Sequence, residues 1–139
     1  MKTLKERIAE FLEEQFGIDK EEFLRLDLEF EERGKHRVYV FRKGCPNISL
    51  YHYGIYFGTL DGRGIRLSIE GSFIVGKLAK KNVLEVDDET ARRWMRGEDI
   101  ECSMKGYVIL KWKNFFLGCG KSNGRILRNF VPKNRRIVD

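Results

Sequence analysis

Acidic side chains are almost missing from the end of this 139-residue chain: from Lys105 onward only Asp139 carries negative charge. Proline occurs twice (Pro46, Pro132), histidine twice (His36, His52), cysteine three times (Cys45, Cys102, Cys119) and glutamine once (Gln15). Three widely spaced cysteines without a Cys-x-x-Cys pair exclude a disulfide framework and a zinc ribbon, and read as reduced thiols in a cytoplasmic protein. Two histidines in strand-like segments, far in sequence from Cys102 and Cys119, leave no metal-ligating constellation, so no metal is expected. No apolar run approaches a membrane span, and the charged N-terminus does not read as a signal peptide, so no membrane partner is expected.

What is present is positive charge, concentrated. Nine basic residues fall between Lys105 and Asp139: Lys105, Lys111, Lys113, Lys121, Arg125, Arg128, Lys133, Arg135 and Arg136. That stretch sums to +8, against +6 for the whole chain, so the preceding residues are net acidic. Clustered Lys and Arg meet the requirement for phosphate binding, because each one placed near a phosphate releases condensed counterions. A charged fraction of 35% also suits a protein from a hot environment, which accounts for the total but not for the segregation. The 42% hydrophobic share excludes a disordered chain, and the length suffices for one domain or two small lobes.

The pattern along the chain is α+β. Thr3 with Glu6 forms a capping box, Leu4, Ile8, Phe11, Leu12 and Phe16 form one apolar stripe, and Gly17 supplies the stop. Asp19 with Glu22 opens a second, short helix. From Leu26 the period changes to two, and Arg33-Gly34-Lys35 turns into Arg37–Phe41, a hairpin. A strand is expected through Tyr51–Leu60. Asp61-Gly62-Arg63-Gly64 is the clearest loop and the expected boundary between an N-terminal α+β lobe, 1–62, and a second unit, 63–139. That unit is expected to hold a strand at 65–69, a short helix entered at Gly71-Ser72, and an apolar strand near Val83–Val86. A helix capped by Asp87 or Asp88 should follow, then a hairpin around Lys113-Asn114 and a strand at 126–131.

Several motifs fail on inspection. Gly120-Lys121-Ser122 resembles the end of a phosphate-binding P-loop, yet Phe115 stands where the first glycine is required and Asn123-Gly124 turns where a helix must follow. Gly118, Gly120 and Gly124 miss the dinucleotide spacing; they either admit a ligand close to the backbone or permit tight turns. Cys119, between glycines and near bases, reads as a small strand residue rather than an activated thiol, and Cys45-Pro46 has no sequence neighbour that would activate it. No cofactor and no catalysis are expected. Phe115, Phe116, Leu117, Leu127 and Phe130 read mostly as core, whereas Trp112 and Tyr107 stand equally as core or as platforms for unpaired bases.

The second half resembles the C-terminal RNA-binding domain of Sun-type RNA cytosine-5 methyltransferases, a domain similar to the PUA fold. The resemblance is carried by Gly64-Ile65-Arg66-Leu67 leading to Glu70-Gly71, by Ala91–Met95 with Arg96-Gly97-Glu98, and by Gly106-Tyr107-Val108-Ile109. Its most specific block is Leu117-Gly118-x-Gly120-Lys121 with Gly124-x-Ile126-Leu127-x-Asn129, then Pro132 and Arg135-Arg136. Those enzymes use a Pro-Cys nucleophile and a cofactor-binding domain; here the order is Cys45-Pro46, and 139 residues hold no such domain. The resemblance implies a PUA-like mixed β pseudo-barrel over 63–139 that binds structured rRNA or tRNA without chemistry of its own, in RNA modification or ribosome biogenesis. Lys111, Lys113, Lys121, Arg125, Arg128, Lys133, Arg135 and Arg136 are expected on phosphates, and Ser122, Asn123 and Asn129 in finer contacts. Arg66 joins them because it lies in a matching block. Asn129 has a second reading, fixing its own turn. The competing function is an adaptor whose acidic first helix (Glu6, Glu10, Glu13, Glu14) docks a separate RNA methyltransferase or assembly factor.

Overall fold

The computed structural model describes residues 1–42 and 54–138. Cys45-Pro46, His52 and the start of the strand expected from Tyr51 lie outside the described residues. Helix α1 (Leu4–Phe16) begins as the sequence dictates: the Glu6 N–H donates to Thr3 Oγ1 at 3.1 Å while the Thr3 N–H donates to the Glu6 carboxylate at 3.0 Å. Gly17, at φ +65°, ends it, and Ile8, Ala9, Leu12 and Phe16 are buried. Asp19 caps α2 (Lys20–Leu24), which buries Phe23.

Four described strands follow, β1 (Leu28–Arg33), β2 (Arg37–Arg42), β3 (Ile55–Leu60) and β4 (Ile65–Leu67), paired antiparallel in chain order. The strand expected over 65–69 stops at Leu67 because the Ser68 hydroxyl accepts the Gly71 N–H at 2.9 Å and opens α3 (Ile69–Val75) two residues earlier than expected. A 3-10 turn, Gly76–Leu78, leads to β5 (Val83–Glu85). Of the two aspartates considered for the next cap, Asp87 serves, accepting the Thr90 N–H at 2.8 Å to start α4 (Asp88–Met95).

The remaining strands are β6 (Ile100–Glu101), β7 (Lys105–Trp112), β8 (Phe115–Asn123) and β9 (Ile126–Arg128), before a 3-10 turn at Lys133–Arg135. The second sheet runs β5-β7-β8-β9-β6, with β5 parallel to β7 and the other pairings antiparallel. β9 ends at Arg128 instead of continuing to Val131. The Asn129 N–H leaves the ladder for Asp99 Oδ1 at 2.8 Å, and the Asn129 side-chain oxygen accepts the Val131 N–H at 2.7 Å.

Both faces of β7 and β8 are buried along their centre. Ile109 and Cys119 join α1, α2 and the first sheet in one core, with Tyr107 and Phe116 at its margin. Val108, Leu110, Leu117 and Leu127 join Trp94 of α4 in another. Trp94 is fully buried, and its indole N–H reaches the Leu117 carbonyl at 3.4 Å. Gly120 makes room for that ring: a Cβ there would lie 2.7 Å from Trp94 Cη2 and 2.5 Å from the Arg128 carbonyl oxygen. The role observed for this glycine, close packing, is neither the ligand approach nor the tight turn expected of it. Gly120→Ala should therefore lower unfolding free energy by about 1–3 kcal/mol through overpacking. Thermal denaturation should show a loss of several degrees, with Asn134→Ala, on an exposed turn, as the unshifted control.

Candidate nucleic-acid interface

The loop-distal end of the β7–β8 ribbon carries the first part of the site. Lys121 pairs in register with Tyr107 on one side and Arg128 on the other. Its ammonium lies 5.1 Å from the centre of the Tyr107 ring and 3.9 Å from the Asp61 carboxylate. Beyond β9 the chain places Phe130 against Arg66 of β4, with the guanidinium carbon 4.5 Å from the ring centre. Arg135 follows, its Nη1 2.9 Å from Glu70 at the start of α3. A cleft of about 150 Å³ between the two sheets is lined by Tyr56, Arg66, Ser68, Phe130 and Arg135 among others. A shallower groove of about 600 Å³, lined by Lys121, Asn123, Arg128 and Phe130, shares the Phe130 wall. Lys121, Arg128, Arg66 and Arg135 thus form one basic strip folded around Phe130. A guanidinium held face-on by an aromatic ring keeps its edge donors directed outward, the arrangement that suits bidentate contact with phosphate oxygens.

Other expected contact residues are engaged within the protein. Ser122 is buried; its hydroxyl donates to the Cys102 carbonyl at 3.3 Å and accepts the Gly124 N–H at 3.1 Å. The Asn123 side-chain oxygen accepts the N–H groups of Arg125 and Ile126 at 2.9 and 3.0 Å, building the β8–β9 turn. Asn129 Nδ2 donates to the carbonyls of Trp94 and Glu98, each at 2.8 Å, so its turn-fixing reading is the one the geometry displays. Arg136 Nε donates to the Val131 carbonyl at 3.1 Å. Arg125 and Lys133 are exposed on the flanks of the strip. Lys111 and Lys113 lie toward the other end of the ribbon, beside Glu85 at 3.8 Å and Asp88 at 3.9 Å respectively.

Asp61 and Glu70, ion-paired with Lys121 and Arg135, escaped sequence reading as site residues. Asp61 sat in an Asp-Gly loop that signalled only a turn, and Glu70 sat in a helix start. Burial opposes ionisation of Asp61, but hydrogen bonds from the Tyr107 hydroxyl and the backbone of Arg63 and Gly64, with the Lys121 charge, outweigh it and hold its carboxyl below the ordinary range. Burial and the same hydrogen bond to Asp61 push the Tyr107 phenol up. Burial likewise pushes the Cys119 thiol up to about 12, so this cysteine is no activated nucleophile. Among the described residues no cluster of His, Cys, Asp and Glu is arranged to hold a metal ion, and no helix is long and apolar enough to cross a membrane.

Residues 81–137 match the family described as the methyltransferase RsmF PUA domain. The chain is 30% identical over 83 residues to ribosomal RNA small subunit methyltransferase F of Aeromonas salmonicida, covering 58% of this chain and 17% of that protein. It is 34% identical over 56 residues to the enzyme of the same name from Vibrio vulnificus, covering 39% of this chain and 12% of that one. The chain therefore spans less than a fifth of the length of these curated relatives. A crystal structure of a hypothetical protein from Pyrococcus horikoshii OT3 shares the fold, with TM-score 0.53 at 11% identity, covering 88% of this chain and 87% of that one. The chain carries a PUA-like domain resembling the C-terminal domain of Sun-type methyltransferases, on an α+β scaffold whose second sheet belongs to the pseudo-barrel.

The depressed Asp61 value has a consequence for stability. Its ionised form favours the folded state at pH above the ordinary aspartate value, and that contribution is lost as pH falls through the lower folded value. Asp61→Asn should show a flatter acid limb in a plot of unfolding free energy against pH. An acid limb as steep as wild type would remove Asp61 as its source. In native protein at pH 8, Cys119 should resist alkylation as followed by peptide mass spectrometry, and should react once urea unfolds the chain.

Proposed function

We propose that this protein is a non-catalytic RNA-binding protein that recognises structured rRNA or tRNA in RNA modification or ribosome biogenesis. The observation that carries the reading is the basic strip of Lys121, Arg128, Arg66 and Arg135 folded around Phe130 on a PUA-like domain. The match to rRNA methyltransferases supports RNA as the ligand, and its location in the region described as a PUA domain supports binding as the role of these residues. Within this reading residues 63–139 form the RNA-binding domain, with Arg125 and Lys133 widening the phosphate footprint. Asn123, Ser122, Asn129 and Arg136 serve it from within, by setting the β8–β9 turn and the path that delivers Phe130. Residues 1–62 form a supporting lobe. The strip mixes side chains from β4, β8, β9 and the last 3-10 turn, so it matches a folded phosphate surface better than a sequence of bases.

The adaptor reading has one observation of its own. Glu13 and Glu14 are exposed on α1, whereas Glu6 completes the helix cap and Glu10 accepts a hydrogen bond from Lys2 at 2.8 Å. An exposed acidic face suits a basic partner, and in this reading that partner is a separate RNA methyltransferase acting in trans.

The two are separated by binding to labelled rRNA and tRNA fragments over a salt series. RNA binding through the strip should give log affinity falling linearly with log salt, and Lys121→Ala/Arg128→Ala should weaken affinity about tenfold or more while reducing the slope by roughly two. Wild-type slope and affinity in the double variant would remove the strip from the interface.

A further inference from the structure

Lys111 and Lys113 are stranded from the basic strip: they lie toward Trp112, roughly 17 Å along the ribbon from Tyr107 at strand rise. They are not alone there. A groove of about 380 Å³ between the loop after α3 and the ribbon is lined by Lys77, Lys80, Lys81 and Lys111, with Phe116 in its wall and, among the described residues, Glu85 as its one acid. Lys77, Lys80 and Lys81 precede or open the stretch matched by the family, and none was suspected from the sequence. Their loop is firmly set. The N–H groups of Lys80 and Lys81 both donate to the Phe16 carbonyl, at 2.8 and 3.1 Å. Asn82 donates through Nδ2 to the carbonyls of Lys105 and Tyr107 at 3.1 and 3.2 Å. The backbone under these exposed ammonium groups is therefore ordered before any ligand arrives, which limits the entropy lost on binding.

The hairpin tip stands at the same end of the ribbon, with its aromatic stack on the opposite face from the groove. Trp112 and Phe115, register partners at the turn, stack with centroids 5.7 Å apart and planes 25° apart. Lys113 lies 4.9 Å from the Trp112 ring, and the Trp112 N–H is held by Asp88 at 2.8 Å. Phe115 is 52% exposed, so one ring of the stack ends in solvent. Core packing, expected for Phe115, does not account for this placement. An exposed aromatic platform at the ribbon end, with cations spaced along the groove behind it, has the chemistry that holds an unpaired nucleobase and its flanking phosphates.

We infer that the lysine groove and the Trp112–Phe115 tip form a second RNA contact, for a single-stranded segment adjoining the folded element held by the strip. The inference rests on the RNA-binding reading above and adds a ligand class to it. The tested protein is the full chain, and the probes are a blunt RNA stem-loop and the same stem-loop with a ten-nucleotide oligouridine tail. Wild type should bind the tailed RNA more tightly. Lys80→Ala/Lys81→Ala should cut that affinity about tenfold and lower its salt slope by roughly 1.4, at about 0.7 per phosphate for single strands. Phe115→Ala should cost about fivefold or more on the tailed RNA. Both variants should leave the blunt stem-loop affinity and the melting temperature near wild type. Trp94 is buried, so quenching by the tail should be traced to Trp112 and vanish in Trp112→Phe. Equal loss on both RNAs, or no loss on the tailed one, would overturn the second contact while the Lys121/Arg128 variant still reports on the strip. A melting temperature lowered by Phe115→Ala with tail affinity unchanged would make the stack a hairpin staple only, and no binding of either RNA would sink both readings.

Discussion

The β7–β8 ribbon holds this protein together because it has no solvent face along its centre. Alternating residues of a strand point to opposite sides, so Ile109 enters the core built by α1, α2 and the first sheet while Val108 and Leu110 enter the core around Trp94. Burying both faces makes register strict: a slip of one residue would exchange the two sets and place Lys121 inside. The same strictness explains Gly120, whose missing side chain is filled by the Trp94 ring. Removing water from both faces gives most of the stabilisation the ribbon supplies, and the hydrogen-bond ladder sets its direction.

Once the ribbon is anchored, its two ends become chemically different. Toward Lys121 it meets the Asp61 loop, β4 and the returning C-terminal chain, which bring to the strip Arg66, 55 residues before Lys121, and Arg135, 14 residues after it. Toward Trp112 it meets the lysine loop after α3. The charge that looked like one basic tail is thereby divided between two surfaces of a rigid element. The acids distributed among the cations, Asp61, Glu70, Glu85 and Asp88, hold several of them in fixed positions by ion pairing, and exposed pairs of this kind contribute little to stability. Their effect is on the placement and field of the cations.

Local signals in the sequence determined the α+β class, the capped first helix, a helix starting at Asp87 or Asp88 and the hairpin at Lys113-Asn114, because caps, turns and residue periodicity act over a few positions, while the PUA-like character of the second half was legible only through family resemblance. They also located the excess of positive charge. Only tertiary structure decided which cations share a surface. Arg66 and Arg135 meet through the packing of two sheets, and Lys77, Lys80 and Lys81 join Lys111 because the loop after α3 bonds to the end of α1. Tertiary structure also assigned Ser122 and Asn129 to internal hydrogen bonds: a polar side chain has the same composition whether it faces solvent or a buried carbonyl, and the choice is made by the neighbour that needs a partner.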